Sequence, residues 1–119
     1  MNIATEIVTI PQRMHSTDKS PFTLLKQTGY FELRDQISVS DIREALAHNA
    51  ACVQEWMQYI DDQRCSSSWY FVLNDEGLYQ VGFYDSNTDP ARSNQVVYEN
   101  AMDACAAFIK HQIESIRTL

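Results

Sequence analysis

The chain of 119 residues has only three glycines, three prolines and three cysteines, and each scarcity closes off a class of chemistry. With Gly29, Gly77 and Gly82 alone, no glycine-rich loop can present its backbone N–H groups to a phosphate, so nucleotide-dependent chemistry is disfavoured. Cys52, Cys65 and Cys105 are odd in number and form no C-x-x-C pair. That argues against a disulfide framework and against a zinc site of the usual spacing, and reduced thiols are expected. Long apolar runs are missing too. The stretch Cys105-Ala106-Ala107-Phe108-Ile109 is far short of the roughly 20 residues needed to cross a bilayer, so no membrane partner is expected. Residues 1–6 lack the basic and apolar regions of a secretory signal, and the cytoplasm is the expected location. Basic side chains are also few, 9 against 16 acidic, leaving a formal charge of −7. Such a field repels nucleic-acid phosphates and anionic lipid headgroups and draws in a basic protein partner.

What is present reads as a single α+β domain, large enough to bury a core without metals or disulfides. Residues 2–10 are rich in β-branched side chains and end at Pro11, which suggests a short strand or arm, followed by a polar loop over residues 12–20. Ser20-Pro21 reads as N-cap and first helical residue of a short helix that stops at Gly29. Ser40-Asp41 suggests the start of a second helix, with Ile42, Ala45 and Leu46 on one face. Val53, Trp56, Met57 and Ile60 repeat at helical spacing and predict a third, ending near Asp61-Asp62. Trp69 to Leu73 is apolar at both alternations, so both faces of that strand need cover. Asn74-Asp75-Glu76-Gly77 supplies the turn and residues 78–84 the return strand of a hairpin. Residues 85–95 predict a long polar loop, and Val96-Val97-Tyr98 a third strand of a small antiparallel sheet. Asn100 with Asp103 resembles a capping box. It opens a final helix to about residue 116, whose stripe of Met102, Cys105, Phe108, Ile109, Ile113 and Ile116 is expected to cover one sheet face.

Catalytic chemistry has one candidate nucleophile region, Cys65 with Ser66, Ser67 and Ser68. A nucleophile needs a general base and an oxyanion site, yet no motif fixes His15, His48 or His111 beside it and there is no G-x-S-x-G elbow. A polar lead into the hairpin is the plainer reading, with a small cysteine- or serine-dependent hydrolase or transferase as the enzymatic alternative. Metal ligation lacks a histidine pair at i, i+4, an H-E-x-x-H and a D-x-D-x-D-G loop, so neither metal nor cofactor is expected. Cys52 and Cys105 sit among apolar neighbours and read as core thiols. The remaining signal is distributed. Asp61, Asp62, Asp75, Glu76, Asp85 and Asp89 lie in the connections flanking the hairpin, near Arg64 and the aromatics Tyr70, Tyr79 and Tyr84. Those aromatics suit either a core or a protein interface, and the acids either a solvated surface or a negative patch. As an interface, the candidate set is Asp61, Asp62, Arg64, Tyr70, Asp75, Glu76, Tyr84, Asp85 and Asp89, with no catalytic or metal-binding member.

Three stretches carry a family resemblance: residues 51–57 (ACVQEWM), residues 64–71 (RCSSSWYF) and residues 99–109 (ENAMDACAAFI). They resemble small bacterial immunity proteins of contact-dependent growth inhibition and related polymorphic toxin systems, over residues 38–116. The resemblance implies a cytoplasmic α+β protein that catalyses nothing, binds the carboxy-terminal toxin domain of a cognate effector and blocks it. Such toxins are often nucleases, some of them tRNA-cleaving, against which an acidic protein is well suited. Immunity surfaces diverge with their toxins, so the resemblance itself assigns no binding residues. A regulatory adaptor whose partner is no toxin is the remaining non-enzymatic reading.

Overall fold

The β-branched opening stretch is helical, not extended. In the computed structural model, which describes residues 3–62, 67–85, 87 and 92–117, α1 spans Ile3–Val8 and α2 spans Ile10–Ser16. Ala4, Ile7, Val8, Ile10 and Pro11 are buried, so packing of one helical face overrides the strand preference of the β-branched residues. The expected loop over residues 12–20 is correspondingly shortened to the segment after Ser16. Two devices separate the helices. Pro11 has no N–H to continue the ladder, and the Thr9 hydroxyl donates back to Thr5 O and Glu6 O, each at 3.1 Å. At that junction the Trp56 indole N–H donates to Val8 O at 3.0 Å, joining residues 48 apart in the chain.

Helix α3, Pro21–Gln27, begins as expected. Ser20 Oγ accepts the Thr23 N–H at 3.2 Å, and Gly29 just past its end takes φ +85°, a conformation L side chains rarely adopt. A short α4, Tyr30–Leu33, and a 3-10 turn, Arg34–Gln36, follow. Helix α5, Val39–His48, starts earlier than the expected Ser40. Its N-cap is Ser38, whose hydroxyl accepts from Asp41 N while the Asp41 carboxylate accepts from Ser38 N at 2.9 Å. The acid needed to complete the box lies three residues beyond Ser38, which leaves Ser40 inside the first turn. The bonds from Ser38 hold the Asp41 carboxyl below its ordinary range. Helix α6, Cys52–Asp62, ends where its pattern predicts.

Strands β1 (Ser67–Leu73), β2 (Tyr79–Asp85) and β3 (Arg92–Tyr98) form an antiparallel sheet in the order β1-β2-β3. Asn74 shapes the hairpin turn: its carboxamide oxygen accepts from Glu76 N and Leu78 N, and Gly77 supplies φ +80°. The third strand is longer than expected. A bulge interrupts its pairing with β2 between Val81 and Phe83, and Asn94 opposite it adopts φ +54°.

The last helix, α7 (Ala101–Arg117), completes the α+β fold by lying across the sheet. Asn100 Oδ1 accepts from Met102 N at 2.7 Å and caps it. Phe108 faces Phe71 and Trp56 at centroid distances of 6.2 and 6.0 Å, which joins sheet, α6 and α7 in one core. Helix α5 packs along the same helix. Among the described residues no helix is long and apolar enough to cross a membrane. Because the Trp56–Val8 bond closes the α1–α2 junction, Trp56→Phe is expected to cost about 1–3 kcal/mol of unfolding free energy, read from urea denaturation.

Candidate binding surface

The sheet has two unlike faces, set by the strict alternation of its side chains and the register Trp69↔Phe83, Tyr70↔Gly82, Phe71↔Val81. Trp69, Phe71, Val81 and Phe83 share the face toward α7. There the Trp69 indole stacks on the His111 ring at 3.9 Å and meets Phe83 edge-on at 5.4 Å. Partial desolvation of the otherwise exposed His111, whose ring Trp69 covers on one side, lowers its pKa by disfavouring the imidazolium.

The second face carries Tyr70, Val72, Gln80, Gly82, Tyr84 and Val97. Tyr84 is 36% and Val97 50% exposed, and Val72 and Gln80 are half-buried. Tyr70 departs from its place in the expected interface. It is only 6% exposed, because its ring lies over Gly82, where a Cβ would come within 2.6 Å of the phenol oxygen. Gln80 Nε2 donates to that oxygen at 2.7 Å. Tyr70 therefore belongs to the packing of the sheet, and the absent side chain at Gly82 makes room for it.

The register also distributes the expected acids. Asp75 and Glu76 are exposed at the hairpin tip, beside the Leu73↔Tyr79 end of the sheet. Asp85 pairs with Ser67 at the opposite end, about 20 Å away along strands of this length, and its carboxylate accepts the Asn87 N–H at 2.9 Å. The acids thus stand at the two ends of the sheet instead of forming one cluster, and alternation puts Asp85 on the face toward α7. Asp61 and Asp62 are the last residues of α6. Arg64, Cys65, Ser66 and Asp89 lie outside the described residues, so the nucleophile candidate and two members of the interface set are not placed.

Two grooves flank α5. One, of about 350 Å³, is lined by Ile3, Ile37, Asp41, Glu44 and His48 among others. The other, of about 450 Å³, runs between α5, α7 and the end of β3, past Val39, Arg43, Tyr98, Asp103 and His111. Arg43 and Asp103 pair across it. Its Lys110 ammonium turns inward and donates to Tyr30 Oη at 2.8 Å, Ile37 O at 2.7 Å and Arg34 O at 3.4 Å, so all three of its donors are engaged with the fold. Tyr30 is buried, which together with the neighbouring Glu114 charge raises its pKa and keeps the phenol protonated. Burial pushes the Glu114 carboxyl up, but hydrogen bonds from Arg117 and Tyr30 outweigh it and leave the pKa low. This cluster fixes α7 against α4 and the 3-10 turn. Sequence reading missed it because its members are 80 residues apart, with no local pattern linking Tyr30 to Lys110.

Burial raises the pKa of both Cys52 and Cys105, most strongly for Cys105, so these thiols stay protonated and act as apolar core groups. Among the described residues no three His, Cys, Asp or Glu side chains are placed to hold a metal ion. Compared with known proteins, the chain matches no family model, no curated protein and no solved structure.

Two outcomes are expected from this geometry. Gly82→Ala forces the Tyr70 ring off the sheet and should lower stability by about 1–3 kcal/mol, whereas pairing it with Tyr70→Phe, which removes the clashing oxygen, recovers part of that loss. For His111, the folded pKa lies below the unfolded one, so the unfolded chain takes up the proton first. Stability should fall as pH drops through about 6.5, and the fall should end once pH is below the folded pKa. Urea midpoints at neutral and mildly acid pH check this, with His111→Phe expected to flatten the difference.

Proposed function

We propose that the protein is an immunity protein, which neutralises a cognate basic toxin domain by stoichiometric binding and catalyses no reaction. The observation that carries this reading is the second face of the sheet. It presents Tyr84 and Val97 to solvent, with the exposed acids Asp75 and Glu76 at the hairpin tip, on a chain of net charge −7. An apolar centre with a charged rim is the usual anatomy of a protein interface, and its sign suits a nuclease domain, whose own cleft must attract phosphate. A protein occupying that cleft competes with the nucleic acid by the same charges. The family resemblance over residues 38–116 supports the same assignment, and the toxin's being a nuclease, including a tRNA-cleaving one, is part of the proposal.

The test is co-expression with the carboxy-terminal domain encoded by the gene immediately upstream. Rescue of growth together with a one-to-one complex of the purified proteins is the expected result, and neither rescue nor binding would overturn the assignment. Within such a complex, replacing both Asp75 and Glu76 with lysine should slow association roughly tenfold at low salt, as measured by stopped flow, with the difference fading as salt rises. An unchanged rate would remove the hairpin tip from the approach path.

A further inference from the structure

Strand β3 is an edge of the sheet, and beyond the bulge at Asn94 its run to Tyr98 carries neither the charge nor the proline that usually protects one. Among the described residues only β2 pairs with it. Residues 93–98, Ser-Asn-Gln-Val-Val-Tyr, contain no charge and no proline, although the chain as a whole carries −7. Ser93 through Val97 are all exposed, Val96 and Val97 at 50% each, on opposite faces of the sheet. The free backbone groups can be located. Asn74 N donates to Leu78 O at 2.8 Å to close the hairpin, and alternation from that pair turns the peptide groups of Tyr98 and Val96 toward β2. Those of Val97 point outward. The bulge at Asn94 bends the strand on one side and the α7 cap at Asn100 ends it on the other, so the regular free ladder is confined to residues 95–99.

We propose that this edge pairs with the same edge of a second copy of the chain, antiparallel about a two-fold axis through Val97, to give a six-stranded sheet across the dimer. In that register Val97 exchanges both backbone hydrogen bonds with Val97 of the second copy, and Gln95 lies opposite Glu99. On the face toward α7, each Val96 meets the other copy's Tyr98, which is half-buried and lines the α5–α7 groove. On the second face the two Val97 side chains cover each other. The exposed valines of each copy are thus buried against apolar partners, and no two like charges are brought face to face. A second copy fits here because Val96, Val97 and Tyr98 all meet apolar partners in this register and the one charge of the ladder, Glu99, lies opposite the uncharged Gln95, whereas a basic partner would find a single acid there. The short ladder and the mutual repulsion of two acidic chains make the dimer concentration-dependent and strengthened by salt, the reverse of the salt dependence of a basic partner. The dimer takes Val97 from the surface proposed to meet a toxin, but the mass of the chain alone tests it without reference to that assignment.

Light scattering coupled to size-exclusion chromatography, over a roughly hundredfold dilution series at low and high salt, tests it. The wild-type mass is expected to rise toward twice the monomer on concentrating, more readily at high salt. Val97→Pro, which removes the outward N–H, and Val97→Lys, which sets two ammonium groups against each other, are expected to stay monomeric with unchanged far-ultraviolet circular dichroism. If the proline variant unfolds, the lysine variant decides alone. A wild type that is monomeric throughout, or a dimer that persists in Val97→Lys, overturns the proposal. So does a Val97 amide that gains hydrogen-exchange protection only when a different protein is added, which would give the edge to that protein's strand.

Discussion

The structure depends on burying α7 from all sides at once. Ala104, Cys105, Ala106, Ala107, Phe108 and Ile109 are six consecutive buried residues, which a helix allows only when it has packing partners around its whole circumference. The sheet takes one side, α5 runs along another, and α3 and α6 complete the enclosure. The composition of this stretch answers the geometry. Three alanines and a cysteine let backbones approach closely, while Phe108 fills the space between Phe71 and Trp56. Placing a charge at Cys105, Ala106, Phe108 or Ile109 would leave it with no route to water.

That demand explains which parts of the fold were legible in the sequence. The hairpin, the start of α3 and the end of α6 depend on residues within four of one another, so their signals are local. The first helices were not legible as helices, because what makes residues 3–10 helical is the surface they pack against, and Trp56 lies nearly fifty residues on. The start of α5 was misread for a subtler reason: Ser38 and Ser40 are equivalent as isolated caps, and only the reciprocal bond from Asp41 selects between them. The full burial of α7 had a visible sign in the apolar run 105–109. Read as a stripe, the pattern marks one covered face, whereas the alanines between the large residues mark the others.

The candidate surface was legible in composition but not in arrangement. Sequence proximity put the acids beside the hairpin, and the register then separated Asp75 and Glu76 from Asp85 by the length of the strands. Tyr70 and Tyr84 looked interchangeable in the chain. Their fates differ because Tyr70 stands opposite the one glycine of the sheet, onto which its ring folds, while Tyr84 stands opposite Ser68 at the end of the strand. Pairing partners, more than residue type, decided which aromatic remained available.

The position of α7 in chain order carries a consequence for how the protein is made. Every other described element precedes it, so a chain emerging from the ribosome displays the apolar sides of α3, α5, α6 and the hairpin before the helix that covers them exists. At about 5–20 residues per second, that interval lasts seconds, long enough for encounters with other nascent chains or with chaperones. Local turns and caps can form during it, but the core cannot close until α7 has been released. Closure of the core in this sense waits on the synthesis of its last described helix, so what shields those faces until then bears on the yield as well as the final stability does.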